Sequence, residues 1–319
     1  MLAAVRTKYG PIENLTVQEI EKPVPKEDQI LVKVFATTVN RTDCAVLTGK
    51  PFIMRFFTGL PIPKLPVPGT DFAGLIEAIG KNVKNFKVGD KVFGFNDTGL
   101  PSQAQYMAIS ENESISIIPS NFSFDQAVAS LEAAHYAFNF INKVNLKAGQ
   151  KVLVNGATGA IGSAAIQFLK HLGLQVTAVC HGKHFDQVKN LGQDKTIDYS
   201  QEDFTQLKEK FDFVFDAVGK STFFKCKRLL TENGIYISSE LGPYAQNIFL
   251  SLIAPLMKQK VIFPIPVNIK RSIQFIKDLI EKNKFKPLID RKYPLAQITE
   301  AYRYVDSGQK IGNVIIETN

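Results

Sequence analysis

Three glycines spaced three residues apart, Gly156, Gly159 and Gly162, lie between an apolar run and a helix-like stretch. Glycines in such a turn let the backbone approach a pyrophosphate, and the amides of the following helix N-terminus favour negative charge. The strands predicted at Lys151–Val154 and Gln175–Val179 fall where a dinucleotide-binding unit requires them. Ala157 replaces the usual first glycine. The predicted cofactor contacts in this loop are Gly156, Ala157, Thr158, Gly159, Ala160, Ile161 and Gly162.

The end of the second strand indicates which dinucleotide binds. NAD sites commonly place an acidic residue about 20 residues beyond the glycine loop. This chain has Cys180, His181 and Lys183 there, all three predicted to contact the cofactor, and its first carboxylate is Asp186. Because Lys183 would attract a 2′-phosphate, we predict NADP(H), with Tyr199 as a second phosphate contact. The alternative is that Lys183 caps a surface turn.

Two further turns follow predicted strands of the same sheet, at Phe213–Asp216 and Ile235–Ser238. Ligands of parallel sheets bind beyond the carboxyl ends of the strands. We therefore predict that the backbone at Val218, Gly219 and Leu241 lies beside the nicotinamide ribose.

These residues need a scaffold, and the chain changes character near Ser123. Before it, short β-rich runs separated by Gly, Pro and Asn indicate an irregular antiparallel sheet or barrel. After it, Phe124–Ile141 is predicted to be helical, and strands then alternate with helices, which is typical of a doubly wound parallel sheet. One of these helices is predicted at Lys220–Leu230, and a helix at Ile269–Lys282 and a strand at Asn313–Glu317 end the pattern. The fold class predicted is α/β, a Rossmann-type domain plus a β-rich domain.

Composition excludes several classes of protein. The 319-residue chain has 38 Lys and Arg against 30 Asp and Glu, a net charge of +8, but its basic residues are scattered, which disfavours nucleic-acid binding. Three cysteines without a CxxC pair exclude a disulfide framework and fit a reducing, cytoplasmic setting. Prolines and lysines interrupt the most apolar stretch, residues 248–267, so we predict no membrane span.

Flanking motifs resemble those of one superfamily. The segment VPGTDFAGLIEAIGKNVKNFKVGDKVFG at residues 67–94 is similar to the signature of the medium-chain dehydrogenases/reductases, and more narrowly to their zinc-independent quinone oxidoreductase-like branch. Similar motifs run nearly end to end: VNRTD from Val39, TIDY from Thr196, FDAVG from Phe215 and GQKIGNVI from Gly308. The resemblance implies a GroES-like catalytic domain at 1–122, a Rossmann NADP-binding domain at 123–264, and a return to the catalytic domain at 265–319.

The resemblance also bears on metal binding. Zinc alcohol dehydrogenases of this superfamily bind catalytic zinc through a Cys, a His followed by Glu, and a second Cys. The matching positions here hold Asn40, Thr70 before Asp71, and no Cys near residues 133–136. The four-cysteine lobe is also missing, since residues 95–109 contain no Cys. Asn and Thr are poor zinc ligands, so we predict a metal-free site.

By resemblance, Asn40 is the predicted catalytic group lining the nicotinamide and the substrate, and it also contacts the cofactor. An Asn after a strand is otherwise often only a turn residue. Relatives often carry a Tyr five residues later, where this chain has Ala45, so the proton donor stays open.

Four other residues are candidates by resemblance. Tyr136 is a predicted catalytic residue in the helix before the glycine loop, and the adjacent His135 fits a structural role better than proton donation. Lys310 and Asn313 resemble the family's closing contact to the cofactor. For Lys310 the alternative is a solvated lysine at a strand end.

Together these features predict an NADPH-dependent, zinc-independent reductase of quinones or α,β-unsaturated carbonyls, forming a homodimer. Two alternatives stay open. One is a zinc-free enzyme acting on alcohols, aldehydes, ketones or enoyl thioesters, and the other is an NADPH-binding sensor or structural protein with little turnover, which Ala45 favours. The apolar loop Gly49–Lys64, with Phe52, Phe56 and Phe57, either caps the substrate cleft or belongs to the core.

Overall fold

The computed structural model describes residues 1–318, which form two compact units. Unit 1 comprises Met1–Glu132 and the segment from Ile269 onward, and unit 2 comprises Ala133–Asn268. Unit 1 is thus assembled from two stretches of chain that unit 2 separates in sequence. The domain limits expected from the resemblance, at residues 122 and 264, stay a prediction.

The N-terminal stretch of unit 1 is built around one long strand, rich in β-branched residues. This strand, Gln29–Val39, pairs antiparallel with three others, and most of its side chains are buried. In chain order the stretch contains β1 (Leu2–Val5), β2 (Thr16–Glu19), β3 (Gln29–Val39), α1 (Arg41–Thr48), α2 (Met54–Thr58), β4 (Asp71–Ile79), β5 (Lys91–Phe95), β6 (Tyr106–Ser110), β7 (Ile115–Ile117) and α3 (Phe124–Ala129).

Unit 2 is a doubly wound sheet. Its elements are α4 (Glu132–Asn142), β8 (Lys151–Asn155), α5 (Ala160–His171), β9 (Gln175–Cys180), α6 (Phe185–Lys189), β10 (Lys195–Asp198), β11 (Phe211–Asp216), α7 (Phe223–Cys226), β12 (Leu230–Ser238), α8 (Gln246–Ile253) and β13 (Lys260–Ile262). Within residues 133–268, six parallel strands lie in the order β10-β9-β8-β11-β12-β13. This order reverses between β8 and β11, and ligands of such sheets bind beyond the strand ends at that point.

The C-terminal stretch completes unit 1 with α9 (Ile269–Glu281), β14 (Ile289–Pro294), α10 (Ile298–Asp306) and β15 (Asn313–Glu317). Strand β15 pairs antiparallel with β3, with Val314 opposite Val39, and parallel with β14. Among residues 1–318 the resulting sheet has seven strands. Buried side chains of α1, α10 and β15, including Leu47, Tyr302 and Ile316, form one core cluster that holds α1 in place.

The predicted fold class is confirmed, but two helices differ from their predicted bounds. The stretch Phe124–Ile141 forms two helices, because the Ser130 side chain donates to Gln126 O at 2.6 Å and the chain turns there. The predicted helix at Lys220–Leu230 shrinks to α7 and one 3₁₀ turn. No helix in the described part of the chain is long and apolar enough to cross a bilayer.

Candidate functional site

The glycine loop of unit 2 joins the end of β8 to the start of α5. Gly156 has a φ of 87°, and a Cβ there would lie 2.8 Å from the Val218 Cβ. A Cβ on Gly162 would lie 2.2 Å from Gly156 O. Both positions therefore require glycine, and the loop leads into a helix N-terminus, where amides and the helix dipole favour a phosphate. The loop fits the pyrophosphate of a dinucleotide.

The seven predicted residues of this loop differ in exposure. Ala157 is fully buried, and its N–H donates to Val179 O at 3.0 Å, so the residue in place of the usual first glycine ties the loop to β9. Ala160 and Gly162 are buried as well. The residues that keep partly exposed surface are Gly156, Thr158, Gly159 and Ile161.

A buried carboxylate shapes the neighbouring loop after β11. Asp216 accepts hydrogen bonds from Asn155 Nδ2 at 3.0 Å and Tyr236 Oη at 2.8 Å. It also accepts from the backbone N–H groups of Gly219 at 3.0 Å and Ser221 at 3.2 Å. These bonds fix the turn that contains the predicted contacts Val218 and Gly219. Asp216 was not among the predicted site residues, although the FDAVG motif that begins at Phe215 contains it.

The turn after β9 holds the residues predicted to read the 2′-phosphate. Cys180 is buried, whereas the side chains of Lys183 and Tyr199 are exposed. The Lys183 N–H donates to His181 Nδ1 at 3.3 Å, and the rings of His181 and Tyr199 meet edge to face, with centroids 5.6 Å apart. The structure thus brings His181, Lys183 and Tyr199 together.

Asp198, which was not among the predicted site residues, lies beside this turn. It accepts from the Ser200 hydroxyl at 2.7 Å and from the Ser200 N–H at 2.9 Å. These bonds lower the pKa of Asp198, with a smaller contribution from the Gly182 amide.

Three other predicted residues of unit 2 have different surroundings. His135 is buried, and Asn139 Nδ2 donates to its carbonyl oxygen at 2.9 Å. Burial lowers the pKa of His135 to about 4, so the ring is neutral at pH 7 and does not act as an imidazolium acid. Tyr136 is half-buried, with its ring 5.9 Å from that of His135, and Leu241 is exposed after β12.

In unit 1, Asn40 follows the end of β3 and caps the N-terminus of α1. Its N–H donates to Asp43 Oδ2 at 2.8 Å, and its side-chain Nδ2 donates to Thr38 Oγ1 at 2.7 Å. The Thr38 hydroxyl donates in turn to Asp71 Oδ2 at 2.6 Å, so it accepts from the Asn40 amide. The Asn40 Oδ1 accepts from Lys310 Nζ at 3.3 Å. Both ends of the amide are therefore oriented by defined partners.

Three buried carboxyl groups lie in the same unit. Burial raises the pKa of Asp71 to about 7, against the hydrogen bonds from Thr38. Burial and the charge of Asp71 raise the pKa of Asp43 well above its usual range. Burial likewise raises the pKa of Glu132, which accepts from Thr42 Oγ1 at 2.5 Å. Because these three carboxyl residues lie far apart in sequence, no local motif predicted that they belong to one cluster.

The C-terminal candidates lie within unit 1. Lys310 is half-buried and donates to Gly312 O at 3.0 Å as well as to Asn40. Asn313 is buried, and its Nδ2 donates to Leu288 O at 3.0 Å. Ala45 lies within α1 and has no proton to give. The roles assigned to Lys310 and Asn313 toward a cofactor stay predictions.

At the positions where zinc relatives carry metal ligands, this chain makes hydrogen bonds. Thr70 Oγ1 donates to Asp43 Oδ1 at 3.3 Å, and Asn40 is held as described. Among residues 1–318, no three His, Cys, Asp or Glu side chains are arranged to hold a metal ion.

The apolar loop of unit 1 is not part of the core. Phe52, Phe56 and Phe57 are 58%, 66% and 63% exposed, so the core alternative is wrong. Arg55 lies between Phe52 and Tyr9, with its guanidinium carbon 5.4 Å and 4.8 Å from the two ring centroids. The loop therefore presents an aromatic surface on unit 1.

Family models match both parts of the chain. Residues 26–119 match the alcohol dehydrogenase GroES-like domain, and residues 191–316 match a model described as zinc-binding dehydrogenase. The 2-methylene-furan-3-one reductase of Solanum lycopersicum is 30% identical over 97% of this chain and 77% of its own length.

Two other relatives come from Arabidopsis thaliana. Its chloroplastic NADPH-dependent alkenal/one oxidoreductase is 29% identical over 99% of this chain and 79% of its own length. Its chloroplast envelope quinone oxidoreductase homolog is 28% identical over 97% and 95%.

Solved structures share the fold. The quinone oxidoreductase of Coxiella burnetii has a TM-score of 0.85 and 24% identity, covering 100% of this chain and 99% of its own. The Escherichia coli quinone oxidoreductase complexed with NADPH has a TM-score of 0.81 and 23% identity, covering 99% and 100%.

Proposed function

The chain belongs to the medium-chain dehydrogenase/reductase superfamily, in its zinc-independent quinone oxidoreductase-like branch, and from this premise we propose an NADPH-dependent oxidoreductase of quinones or α,β-unsaturated carbonyls. The observation that carries the proposal is the glycine loop, whose two obligatory glycines permit a tight turn into the N-terminus of α5, where a pyrophosphate would bind. The dinucleotide, when bound, supplies the hydride.

Unit 2 selects and holds the dinucleotide. Lys183, whose backbone N–H donates to His181 Nδ1, carries an ammonium that favours a 2′-phosphate, because no carboxylate takes the position that binds a 2′-hydroxyl in NAD sites. The turn of Val218 and Gly219 is fixed by Asp216 and lies at the point where the strand order reverses.

Unit 1 acts on the acceptor. As a carbonyl is reduced, negative charge develops on its oxygen, and a preorganised N–H stabilises that charge. Asn40 is such a group, because Thr38 and Lys310 hold its amide in one orientation. Ala45 offers no proton, so we assign protonation of the product to solvent.

One observation favours a second function. The absence of a proton-donating side chain at Ala45 suits an NADPH-binding sensor with little turnover. A zinc-free alcohol or enoyl reductase is a third candidate function. Its choice of substrate distinguishes it from the proposed quinone or enone reductase.

A substrate panel tests the proposal. Purified protein would be assayed for oxidation of NADPH with quinones, enones, aldehydes and an enoyl thioester, with NADPH binding measured by fluorescence. Turnover restricted to quinones and enones supports the proposal. Tight NADPH binding without turnover of any acceptor supports the sensor, and turnover of aldehydes or the thioester alone supports the third function.

We also propose that the protein is a homodimer formed through unit 2. Strand β13 lies at the edge of the sheet and pairs, among the described strands, with β12 alone. Beside it, Phe249, Leu252 and Leu256 are 62%, 72% and 90% exposed. A two-fold axis at an edge strand pairs it with its own copy and covers such an apolar surface on both chains.

For location, we propose the cytoplasm. The described cysteines, Cys44, Cys180 and Cys226, are free and buried, which suits a reducing compartment. Relatives include chloroplastic and mitochondrial proteins, so fractionation of cells is the deciding experiment. Recovery with an organelle would contradict the proposal.

A further inference from the structure

A buried arginine in unit 1 has no salt-bridge partner among residues 1–318. Arg6 is 2% exposed, and within residues 1–318 its guanidinium donates one hydrogen bond, from Nη1 to Val46 O. Its Nε is buried without any partner among the described residues. Burial lowers the pKa of Arg6, against the influence of Tyr302, Tyr9 and Asp43. A buried guanidinium has five N–H donors and is costly to leave unpaired, so a missing partner is indicated.

The place for that partner is a cavity of about 200 Å³ that Arg6 lines. A second cation, Lys64, and the side chain of Asn96 also line it. Asn96 Oδ1 accepts from the Thr98 N–H and hydroxyl, at 3.0 Å and 2.7 Å, so the amide presents Nδ2 elsewhere. Within residues 1–318 that Nδ2 makes no hydrogen bond. The polar part of the lining thus offers donors and positive charge, and none of its side chains is acidic.

Most of the remaining lining is apolar, although Thr58 and Thr98 add two hydroxyl groups. The apolar part consists of Val46, Phe57, Leu65, Val67, Pro68 and Leu100, with the glycine turns at Gly69 and Gly99. Apolar walls around two cations suit an organic anion better than inorganic phosphate, because they contact a hydrocarbon portion. A carboxylate matches the planar fork of an arginine in two parallel hydrogen bonds.

The cavity adjoins the groups assigned to the acceptor. Gly69 immediately precedes Thr70 and Asp71, which bond to Asp43 and Thr38. Val46 belongs to α1, the helix that Asn40 caps. A ligand held by Arg6 is therefore bound next to the Asn40 network in the same unit.

We propose that this cavity is a carboxylate site, in which Arg6 and Lys64 bind a short organic acid. Resting on the proposed function, we further infer that the acceptor itself carries the carboxylate, as in a 4-oxo-2-enoate. Arg6 is then a specificity-determining residue, and no bond to it forms or breaks in the reaction.

Binding is tested first without cofactor or turnover. The probe is 4-oxopentanoate, a saturated keto acid, compared by calorimetry with its methyl ester and with inorganic phosphate. We expect the acid to bind wild-type protein, the ester and phosphate to bind at least about tenfold more weakly, and Arg6→Met to lose about tenfold to a hundredfold in affinity for the acid. Equal affinities for acid and ester, or no binding of the acid, would overturn the site.

Two variants keep the test valid if Arg6→Met does not fold. Arg6→Lys retains the charge and should recover part of the affinity, whereas Lys64→Met, at an exposed position, should weaken binding by a few-fold. Lys81→Met, which removes an exposed lysine elsewhere in unit 1, is the matched control and should bind as wild type. Unchanged binding in both Arg6→Lys and Lys64→Met would contradict the proposal.

Turnover tests the specificity. We expect the KM for 4-oxo-2-pentenoate to be at least about tenfold below that for its methyl ester, and the difference to vanish in Arg6→Met while the Kd for NADPH stays unchanged. If wild-type protein reduces neither compound, the proposed function fails, and the calorimetry still decides the site. If it reduces both with equal KM, the specificity inference alone fails.

Discussion

At the residue scale, Lys183 lies in the turn that follows β9, and the oppositely charged Asp198 lies beside that turn at the end of β10. The Asp198 carboxylate is directed to Ser200, whereas the Lys183 side chain is exposed. A 2′-phosphate near this turn gains from the lysine and is opposed by the aspartate. The dinucleotide preference of unit 2 therefore depends on which charge the phosphate meets more closely.

Reversing the charge at Lys183 should reverse the preference for NADPH over NADH. In Lys183→Glu we expect the KM for NADPH to rise about tenfold to a hundredfold, because a charge-assisted hydrogen bond is replaced by repulsion. The KM for NADH should stay the same or fall. Steady-state kinetics with both dinucleotides measure this, with Lys189→Glu, an exposed lysine of α6, as the control. Unchanged KM values in Lys183→Glu would support the alternative of a capped surface turn.

Two glycines of the same loop should respond differently to alanine. A Cβ on Gly162 would lie 2.2 Å from Gly156 O, whereas one on Gly159 would lie 3.3 Å from the same atom. We expect Gly162→Ala to lower the free energy of unfolding by about 1–3 kcal/mol and to weaken NADPH binding, since the backbone must move. Gly159→Ala should have a smaller effect on both. Urea unfolding and fluorescence titration measure the pair, and equal effects would contradict the geometry.

At the element scale, Asp71 joins two strands. It begins β4, and it accepts hydrogen bonds from the N–H and hydroxyl of Thr38 on β3. Burial raises its pKa to about 7, so the folded protein holds this proton more tightly than the unfolded chain does. The contribution of Asp71 to stability is therefore complete below about pH 4 and is lost as the pH rises through about 7.

Replacing this carboxyl by an amide removes the titration. The free energy of unfolding of Asp71→Asn, taken relative to that of wild type, should be up to about 4 kcal/mol higher at pH 8 than at pH 4. The reason is that only wild type loses stability when the buried carboxyl ionises. Urea unfolding at both pH values measures the difference. Asp186→Asn, at an exposed position, is the control and should show no such gain. A difference between Asp71→Asn and wild type that does not change with pH would contradict the prediction.

Some elements of the fold could be predicted from the sequence and others could not. The strand–loop–helix at Lys151–His171 follows local rules, because apolar periodicity and glycines belong to one contiguous segment. Helix α1 was not predicted, since an Asn after a strand suits a turn as well as a cap. The network of Asn40, Thr38 and Asp71 was also missed, because pairing of β3 with β4 brings together residues over thirty positions apart. Such contacts depend on sheet register, which no local pattern encodes.

At the scale of the whole molecule, surface composition points to association. The charge of +8 is spread over the chain, but Phe249, Leu252 and Leu256 are exposed together beside the edge strand β13. Apolar surface of this kind is costly in water and is typical of protein–protein interfaces. The proposed dimer removes both that surface and the open strand edge.

A charge placed on this surface should separate the subunits. We expect wild-type protein to have twice the chain mass by light scattering, and Leu252→Glu to be a monomer at micromolar concentration, since burying a carboxylate there is unfavourable. Phe224→Glu, which changes another exposed aromatic of unit 2, should leave the dimer intact. A monomeric wild type would contradict the proposal.

The pairing of β15 with β3 has a consequence for biosynthesis. Unit 2 is one contiguous stretch, Ala133–Asn268, and all of it leaves the ribosome before β15 is translated. The sheet of unit 1 is completed later, because Val39, next to Asn40, pairs with Val314 of β15. Lys310, which donates to Asn40, is also translated after unit 2. During synthesis, a chain able to hold a dinucleotide therefore exists before the acceptor site is complete. If Asn40 acts on the acceptor as proposed, hydride transfer would begin only after β15 has been translated and has paired with β3.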